Sequence, residues 1–222
     1  MIGIIPASGK ATRFNGLPKF SLPCDAESTP VIKRQVDQMK EYVDKVVVST
    51  SSKWYELVKS FELDAEIMII EPSTMNDAVL KIAKENESNS YIIGMADTYF
   101  KGENPYKKLS DAAEQFHIAI ACWEINDVLK GKVGQVNLVN NLILDLQDKQ
   151  PDCEYPYMWG ALGLSKHVLE RMNADDAHPG ISLVKEIGED SSSHYAFAVN
   201  GEYFDIGSMI NYKNLLNSLD TL

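Results

Sequence analysis

Residues 2–13, IGIIPASGKATR, join a short apolar run to a loop of small residues. The run at 2–6 has the length and the β-branched composition of a buried strand. The loop at 7–13 follows directly, where free backbone N–H groups at the end of a strand point outward and can hold a phosphate. A plain tight turn uses the same small residues, so the loop alone leaves both interpretations open.

Further apolar runs recur along the first half of the chain, and stretches with helical spacing lie between them. The predicted strands are 45–50, 65–70, 91–96 and 118–123, and the predicted helices are 31–43, 54–61, 75–87 and 106–116. Strands that alternate with helices form a parallel sheet covered on both faces. The sequence therefore predicts an α/β fold, a Rossmann-like three-layer αβα arrangement with a mixed, mainly parallel central sheet.

The pattern changes after about residue 124. Two runs, 133–139 and 141–146, flank an Asn-rich turn that suits a hairpin, so a small antiparallel portion is expected there. Strands near 159–164 and 195–199 follow, with helices near 166–172 and 182–188 and a closing helix from Ser208. Ligands of such folds bind at the carboxyl ends of the parallel strands, which directs attention to the loops after them.

Composition excludes several classes of partner. The formal charge of −11 and the absence of a Lys/Arg run argue against nucleic acid, and no apolar segment approaches the ~18 residues of a membrane span. Three cysteines without metal-ligand spacing argue against a disulfide framework or a zinc site. A reducing cytoplasm is the expected compartment.

The loop continues into a specific motif. The segment PASGKATRF at 6–14, then PKF at 18–20, LP at 22–23 and TPVI at 29–32, resembles the signature of the sugar-phosphate nucleotidyltransferases. Glucose-1-phosphate thymidylyltransferases and mannose-1-phosphate guanylyltransferases belong to that family. The resemblance implies that Arg13 lies near the leaving pyrophosphate and Lys19 near the reacting α-phosphate, both as catalytic residues. It also implies nucleotide contacts from Ala7, Ser8, Gly9, Lys10, Ala11 and Thr12, although Ser8 and Ala11 replace glycines of the family pattern.

Two aspartates complete this pattern. Asp97 ends the apolar run 91–96, and Asp205 lies in YFDIGS at 203–208. An isolated Asp97 would more often cap a turn, and Asp205 could cap the last helix, although Ser208 is an equally good cap. In the family, both matching aspartates bind one Mg²⁺, so the resemblance implies a magnesium site of Asp97 and Asp205.

The resemblance assigns further contacts to the second half of the chain and to the base. Gly134, Lys149, Trp159 and Gly160 match acceptor-binding segments, while Pro72 and Asn76 lie in the segment that matches the family's base-binding turn. A solvated turn lysine and a plain core strand remain alternatives for Lys149 and Trp159. Thr74 replaces a family glycine, so the base cannot be identified.

Together these motifs imply one domain of the nucleotide-diphospho-sugar transferase fold, with nucleotide-binding residues in 1–124 and acceptor-binding residues in 125–222. The expected activity is transfer of a nucleoside monophosphate from an NTP to a small phosphorylated acceptor, such as a sugar 1-phosphate, with release of pyrophosphate. Two alternatives stay open: a cytidylyltransferase acting on a non-sugar alcohol phosphate, and a silent regulatory relative that only binds these ligands. The sequence also leaves the oligomeric state open, a homo-oligomer included.

Overall fold

The computed structural model describes residues 1–9, 14, 16–125, 129–187 and 193–219. Within these ranges the strands are β1 (Ile2–Pro6), β2 (Lys45–Thr50), β3 (Glu66–Ile69), β4 (Ser90–Ile93), β5 (Thr98–Gly102), β6 (Ile118–Glu124), β7 (Gly134–Val139), β8 (Leu142–Asp148), β9 (Tyr157–Ser165), β10 (His194–Ala198) and β11 (Gly201–Asp205). The α-helices are α1 (Val31–Met39), α2 (Tyr55–Lys59), α3 (Met75–Glu85), α4 (Pro105–Ala113), α5 (Lys166–Arg171), α6 (Pro179–Ile187) and α7 (Met209–Leu219).

The main sheet has the strand order β10-β6-β9-β4-β1-β2-β3, and β7 and β8 extend it beside β9. Strands β1, β2, β3 and β4 pair in parallel, as do β6 and β10. Strand β9 runs antiparallel to both β4 and β6 and joins the two parallel groups. The predicted mixed, mainly parallel sheet with flanking helices is thus confirmed, including the antiparallel β7–β8 hairpin.

The core lies on both faces of this sheet. Along β1, Ile4 and Ile5 are both fully buried but point in opposite directions, because successive side chains of a strand alternate between faces. Ile5 packs in a cluster with α1 and α4, and Ile4 packs in a cluster with α3, α5 and α6. Full burial of an isoleucine contributes about 1.5–3 kcal/mol, so strands of this kind hold a three-layer sandwich and fix the positions of the loops at their ends.

Several helices begin at residues whose side chains cap them. Thr74 accepts a hydrogen bond from the backbone of Asp77 at the start of α3, and Asn104 caps α4 just before Pro105. Ser208 Oγ accepts from Asn211 N at 3.2 Å, which confirms its predicted role as a cap. Among the residues that the structure describes, no helix has both the length and the apolar character needed to cross a membrane.

A second, two-stranded sheet was not predicted. Strands β5 and β11 pair antiparallel with each other, with Thr98 opposite Asp205 and Gly102 opposite Gly201. Their sequences, TYFKG and GEYFD, lack the apolar run that marks the strands of the main sheet. Because the partner strand lies about a hundred residues away, local periodicity contains no sign of the pairing.

Candidate active site

A cleft of about 920 Å³ opens at the carboxyl edge of the parallel strands. Its walls come from the loops that follow β1, β2, β3 and β4, as expected for an open α/β sheet. The cleft is lined by Pro6, Ala7, Ser8, Gly9, Pro18, Lys19, Phe20, Ser51, Ser52, Lys53, Trp54, Glu71, Pro72, Ser73, Thr74, Met75, Ala78, Ala96 and Asp97. Ala7, Ser8, Gly9, Pro72, Lys19 and Asp97 from the sequence prediction therefore line one cavity.

The start of the loop after β1 is anchored to β2. Ala7 N donates to Ser49 O at 3.0 Å, and Ser8 Oγ lies 3.1 Å from Ser49 Oγ. A side chain on Gly9 would meet no atom within 4 Å, so this glycine faces open space in the cleft. Lys10, Ala11, Thr12 and Arg13 lie outside the described residues, and their assignment to the nucleotide and to catalysis stays a prediction.

Lys19 and Asp97 form an ion pair within the cleft. Lys19 opens a 3₁₀ turn after Pro18, and its Nζ lies 2.9 Å from Asp97 Oδ2. The side chains are 17% and 34% exposed, so both are open to a ligand yet partly shielded from water. Electrostatic interactions are stronger in such a partly dry site than at the surface. The ion pair therefore places a lysine cation beside a carboxylate in the turn that follows strand β4.

Backbone and side-chain contacts hold the turn that contains Asp97. Thr98 Oγ1 donates to Met95 O at 3.1 Å, and the fully buried Gln35 of α1 donates through Nε2 to Thr98 O at 2.7 Å. The hydroxyl of Tyr106 donates to Gln35 Oε1 from the other side. This buried network fixes the direction in which the Asp97 carboxylate leaves the sheet.

The small sheet brings Asp205 beside Asp97. Asp205 is the partner of Thr98 in the β5–β11 register, and Ile206 N donates to Asp97 O at 2.9 Å. The two aspartates, far apart in sequence, are therefore neighbours at one end of this sheet. Burial, then the charge of Asp205, then that of Asp97, raises the pKa of the Tyr203 phenol well above its ordinary value.

Gly207 leaves room for the Asp205 carboxylate. A Cβ at position 207 would lie 2.8 Å from Asp205 Oδ2 and 3.3 Å from Oδ1. Any side chain there would therefore displace the carboxylate. The glycine of the YFDIGS motif is explained by this close approach.

The donor set suits Mg²⁺. Magnesium in proteins is held by one or two carboxylates, with substrate phosphates and water completing its shell. Asp97 and Asp205 supply that number. Within the described part of the chain, no group of three or more His, Cys, Asp or Glu side chains forms a complete protein cage for a metal. Substrate oxygens would have to complete the coordination.

The loops after β2 and β3 add residues that sequence reasoning missed. Glu71 Oε1 accepts from both N and Oγ of Ser52 at 2.7 Å, and these hydrogen bonds lower the pKa of Glu71. Lys53 Nζ lies 4.3 Å from the ring centroid of Trp54. Both loops follow parallel strands, so the strand-end rule used for Asp97 would have identified them too.

Asn76 corrects the predicted set of nucleotide-binding residues. Its side chain is fully buried and does not line the cleft. The amide Nδ2 instead donates to Asn173 O at 3.0 Å and to Ser182 Oγ at 2.8 Å. Asn76 lies on the buried face of α3, where it secures the segment that leads into α6.

The segment before α6, residues 173–178, also contacts the cleft wall, and we call this line of contacts the seam. Thr74 Oγ1 donates to Ala174 O, and Met75 N donates to Ala177 O at 3.1 Å. His178 follows immediately in sequence. The seam therefore connects the cleft to the region in which the acceptor-binding residues were predicted.

In that region Lys149, Trp159 and Gly134 lie together, outside the lining of the cleft. A Cβ at Gly134 would lie 2.0 Å from Trp159 Nε1, so the glycine leaves room for the indole. Lys149 Nζ lies 3.2 Å from Nε2 of His178, which the sequence analysis had not selected. No sequence motif marks His178, because its neighbours come from distant parts of the chain and contact it only in the folded protein.

Gly160 corrects the acceptor prediction. It is buried, and a Cβ there would lie 2.4 Å from the Tyr203 ring and 2.6 Å from the Trp123 ring. Those rings pack at a centroid distance of 5.0 Å. Gly160 thus allows aromatic packing beneath the carboxylate pair and offers no surface to an acceptor.

Comparison with known proteins gives a consistent family assignment. The model of the family described as "MobA-like NTP transferase domain" matches residues 3–181. No curated protein sequence matches the chain significantly. The family match and the solved structures that follow confirm the resemblance stated from the sequence motifs.

Three solved structures share the fold over nearly their whole length. A protein assigned as a glucose-1-phosphate thymidylyltransferase of Bacillus anthracis superposes with a TM-score of 0.83 at 14% identity, covering 100% of this chain and 96% of that one. A UDP-glucose pyrophosphorylase complexed with UDP-glucose gives 0.80 at 16%, with coverage of 99% and 98%. The inositol-1-phosphate CTP transferase of T. maritima gives 0.72 at 17%, with coverage of 99% and 96%. At these identities the likeness shows a common fold.

Proposed function

Because the chain belongs to the family of MobA-like NTP transferase domains, we propose that it transfers a nucleoside monophosphate from an NTP to a small phosphorylated acceptor, with a sugar 1-phosphate as the first candidate. The observation that supports this most strongly is the ion pair of Lys19 and Asp97 in a large cleft, with Asp205 brought beside Asp97 by the small sheet. A cation beside two carboxylates is the arrangement that nucleotidyl transfer needs, since the reaction depends on positioning and on neutralisation of phosphate charge.

The acceptor contributes a phosphate oxygen that attacks the α-phosphorus in line. The new P–O bond forms as the bond between the α-phosphorus and its bridging oxygen breaks, and pyrophosphate leaves with that oxygen. Lys19 neutralises charge on the α-phosphate oxygens, and Arg13 neutralises charge on the pyrophosphate. The backbone of residues 7–12 cradles the triphosphate. An acceptor phosphate that is already ionised needs no general base, so no titrating side chain has to remove a proton.

Asp97 and Asp205 would hold Mg²⁺, which supplies Lewis-acid neutralisation of the nucleotide oxygens when it is bound. Lys19 Nζ lies 2.9 Å from Asp97 Oδ2. Arrival of the triphosphate gives Lys19 a second, more negative partner, so we infer that its Nζ turns from Asp97 towards the phosphate and frees that carboxylate oxygen. The local cations matter because the protein as a whole carries −11 charges.

The alcohol phosphate alternative remains within this proposal as a choice of acceptor, because one structural neighbour is itself named an inositol-1-phosphate CTP transferase. A regulatory relative without catalytic activity would not need two carboxylates and a lysine grouped together, as Asp97, Asp205 and Lys19 are. We also infer a cytoplasmic location, where NTPs are available and the free, buried Cys24, Cys122 and Cys153 stay reduced.

Pyrophosphate release tests the proposal directly. The purified protein is incubated with each NTP and with a panel of sugar 1-phosphates, inositol 1-phosphate, choline phosphate and methylerythritol phosphate, with Mg²⁺ or with excess EDTA. We expect release that requires one NTP and one acceptor and stops with EDTA. Nucleotide binding without release for any pair would contradict a transferase and favour the regulatory alternative.

A further inference from the structure

Asp148, Lys149 and His178 form a polar cluster outside the cleft, and residues of three neighbouring strands form its base. Asp148 of β8 lies opposite Gly134 of β7, and the indole of Trp159 of β9 covers Gly134. Gly180, at the start of α6, closes the other side, since a Cβ there would lie 2.7 Å from Trp159 Cζ2. Two positions without side chains thus enclose the indole and hold it beside Asp148.

His178 stands next to this row and faces three different groups. Its ring centroid lies 6.0 Å from that of Trp159, and its Nε2 lies 3.4 Å from Asp148 Oδ2 and 3.2 Å from Lys149 Nζ. Lys149 is 57% exposed, whereas the His178 side chain is 16% exposed. The ammonium of Lys149 and Nε2 of His178 are therefore adjacent, and solvent reaches them from the side of Lys149.

Lys149 is held in place by its backbone. Its φ is +51°, in the left-handed region that a lysine seldom adopts, and its N–H donates to Val133 O at 3.2 Å. A strained conformation of this kind persists only where the surroundings impose it. The turn after β8 thus directs the lysine towards His178.

Within the described residues, three polar atoms of this cluster are buried without a hydrogen-bond partner: Asp148 Oδ1, His178 Nδ1 and Trp159 Nε1. Buried polar atoms are usually paired, so their concentration around one histidine sets this cluster apart from an ordinary protein interior.

The charges around His178 decide which ligand fits. Asp148 and Lys149 face it from β8 and the following turn. In the segment before α6, the hydrogen bond from Ser182, then that from Lys185 and the charges of Lys185 and His178, lower the pKa of Asp176. Asp176 is already bound by Lys185 at 3.1 Å. Burial opposes ionisation of Asp148, but hydrogen bonding from His178 and the charges of His178 and Lys149 outweigh it and lower the pKa of this carboxyl. With each acid balanced by a lysine, a proton on His178 gives the cluster a net positive charge.

We propose that His178 in its protonated form binds the acceptor's phosphate together with Lys149, and that Asp148 holds the imidazole ring in position. The inference rests on the proposed function for the identity of the ligand, a phosphomonoester. Without a ligand, either Lys149 donates to Nε2 of a neutral ring or a protonated ring donates to Asp148. A phosphate dianion favours the protonated ring, because two cationic donors then face one anion.

The location suits an acceptor. Ala177, the residue before His178, accepts from Met75 N in the wall of the nucleotide cleft. The segment that leads to His178 is therefore bonded directly to the wall of the nucleotide cleft, through this contact and through that of Thr74 Oγ1 with Ala174 O.

Inorganic sulfate is a suitable probe, because its double negative charge is constant across the tested range. The protein has four histidines and three tryptophans, so NMR signals of the His178 ring and the Trp159 indole can be assigned with single variants. We compare wild type, His178→Gln, Lys149→Met and the control His167→Gln, which changes an exposed histidine on α5. Sulfate is titrated from about pH 6 to about pH 8, where histidine changes its charge.

In wild type and in His167→Gln, sulfate should shift both signals, with an affinity that falls about tenfold across this range. His178→Gln should bind about tenfold more weakly at the lower pH and lose the pH dependence, as read from the Trp159 signal. Lys149→Met should weaken binding while keeping the pH dependence. Unshifted signals in wild type, or unchanged binding in His178→Gln, would overturn the proposal. Sulfate binding requires no turnover, so a failure here is separate from a failure of pyrophosphate release.

Discussion

The proposed nucleotide-binding and acceptor-binding halves of the site are built in different ways. In the nucleotide half, most lining residues lie in loops that follow parallel strands, as Ser8 follows β1 and Glu71 follows β3. In the acceptor half, Asp148, Trp159 and His178 come from neighbouring strands and from the segment before α6. The first arrangement follows from chain order, whereas the second depends on which strands become neighbours. Sequence motifs therefore locate nucleotide contacts more directly than acceptor contacts.

The largest effect is expected from the carboxylate at the end of β4. Asp97→Asn keeps the size of the side chain but removes the charge that would hold the metal, so kcat should fall by about 10³-fold or more. The fold should be unchanged, as judged by circular dichroism and thermal unfolding. Asp111→Asn, which changes an exposed aspartate of α4, is the matched control and should keep wild-type activity. Full activity in Asp97→Asn would contradict the assignment.

The neighbouring positions 207 and 208 should separate catalysis from stability. In Gly207→Ala the new methyl group would displace the Asp205 carboxylate, 2.8 Å away, so kcat should fall by about 10–100-fold. Ser208→Ala removes the cap of α7 and should lower the free energy of unfolding by about 1 kcal/mol with a smaller change in kcat. Steady-state kinetics and urea unfolding of both variants measure the contrast, and the reverse pattern would disprove it.

A glycine substitution in the proposed acceptor half should change the KM for the acceptor and leave the KM for the NTP unchanged. Gly134→Ala places a methyl group against the Trp159 indole, and overpacking of this kind costs about 1–3 kcal/mol of stability. We expect an increased KM for the acceptor at an unchanged KM for the NTP. The second substitution Trp159→Leu should restore stability without restoring the acceptor KM. Equal increases in both KM values would mean that the two halves are not separate.

The smallest effect is expected at the seam between the halves. Thr74→Val removes both the cap of α3 and the hydrogen bond to Ala174 O, so stability should fall by about 1 kcal/mol. Thr74→Ser keeps the hydroxyl and serves as the control. Thermal unfolding reports the loss, and identical stability of the two variants would show that the hydroxyl contributes nothing.

Much of the fold could be predicted from hydrophobic patterns. The bounds of β1 and β2 match the prediction residue for residue, because a buried parallel strand is a continuous apolar run. The β5–β11 sheet escaped prediction because its strands are short, mixed in character and distant in sequence. It is nevertheless the element that makes neighbours of Asp97 and Asp205.

The candidate site, like the fold, contains residues that the sequence predicts and residues that it does not. Asp97 follows a strand and lies in the cleft, as the strand-end rule predicts, while Asn76 does not reach the cleft because its position in α3 faces the interior. No motif of the sequence marks His178, since its relation to Lys149 exists only after β8 and α6 pack together. Residues that act through neighbours from other elements leave no local pattern.

The central claim is that Asp97 and Asp205, joined by the small sheet, act as one unit on the nucleotide. A double-mutant cycle of Asp97→Asn and Asp205→Asn, measured as kcat for pyrophosphate release, tests it most directly. If the carboxylates hold one metal, each single variant loses most of the activity and the double variant is scarcely worse than either. Losses that multiply, or an Asp205→Asn variant with wild-type kcat, would contradict a shared centre.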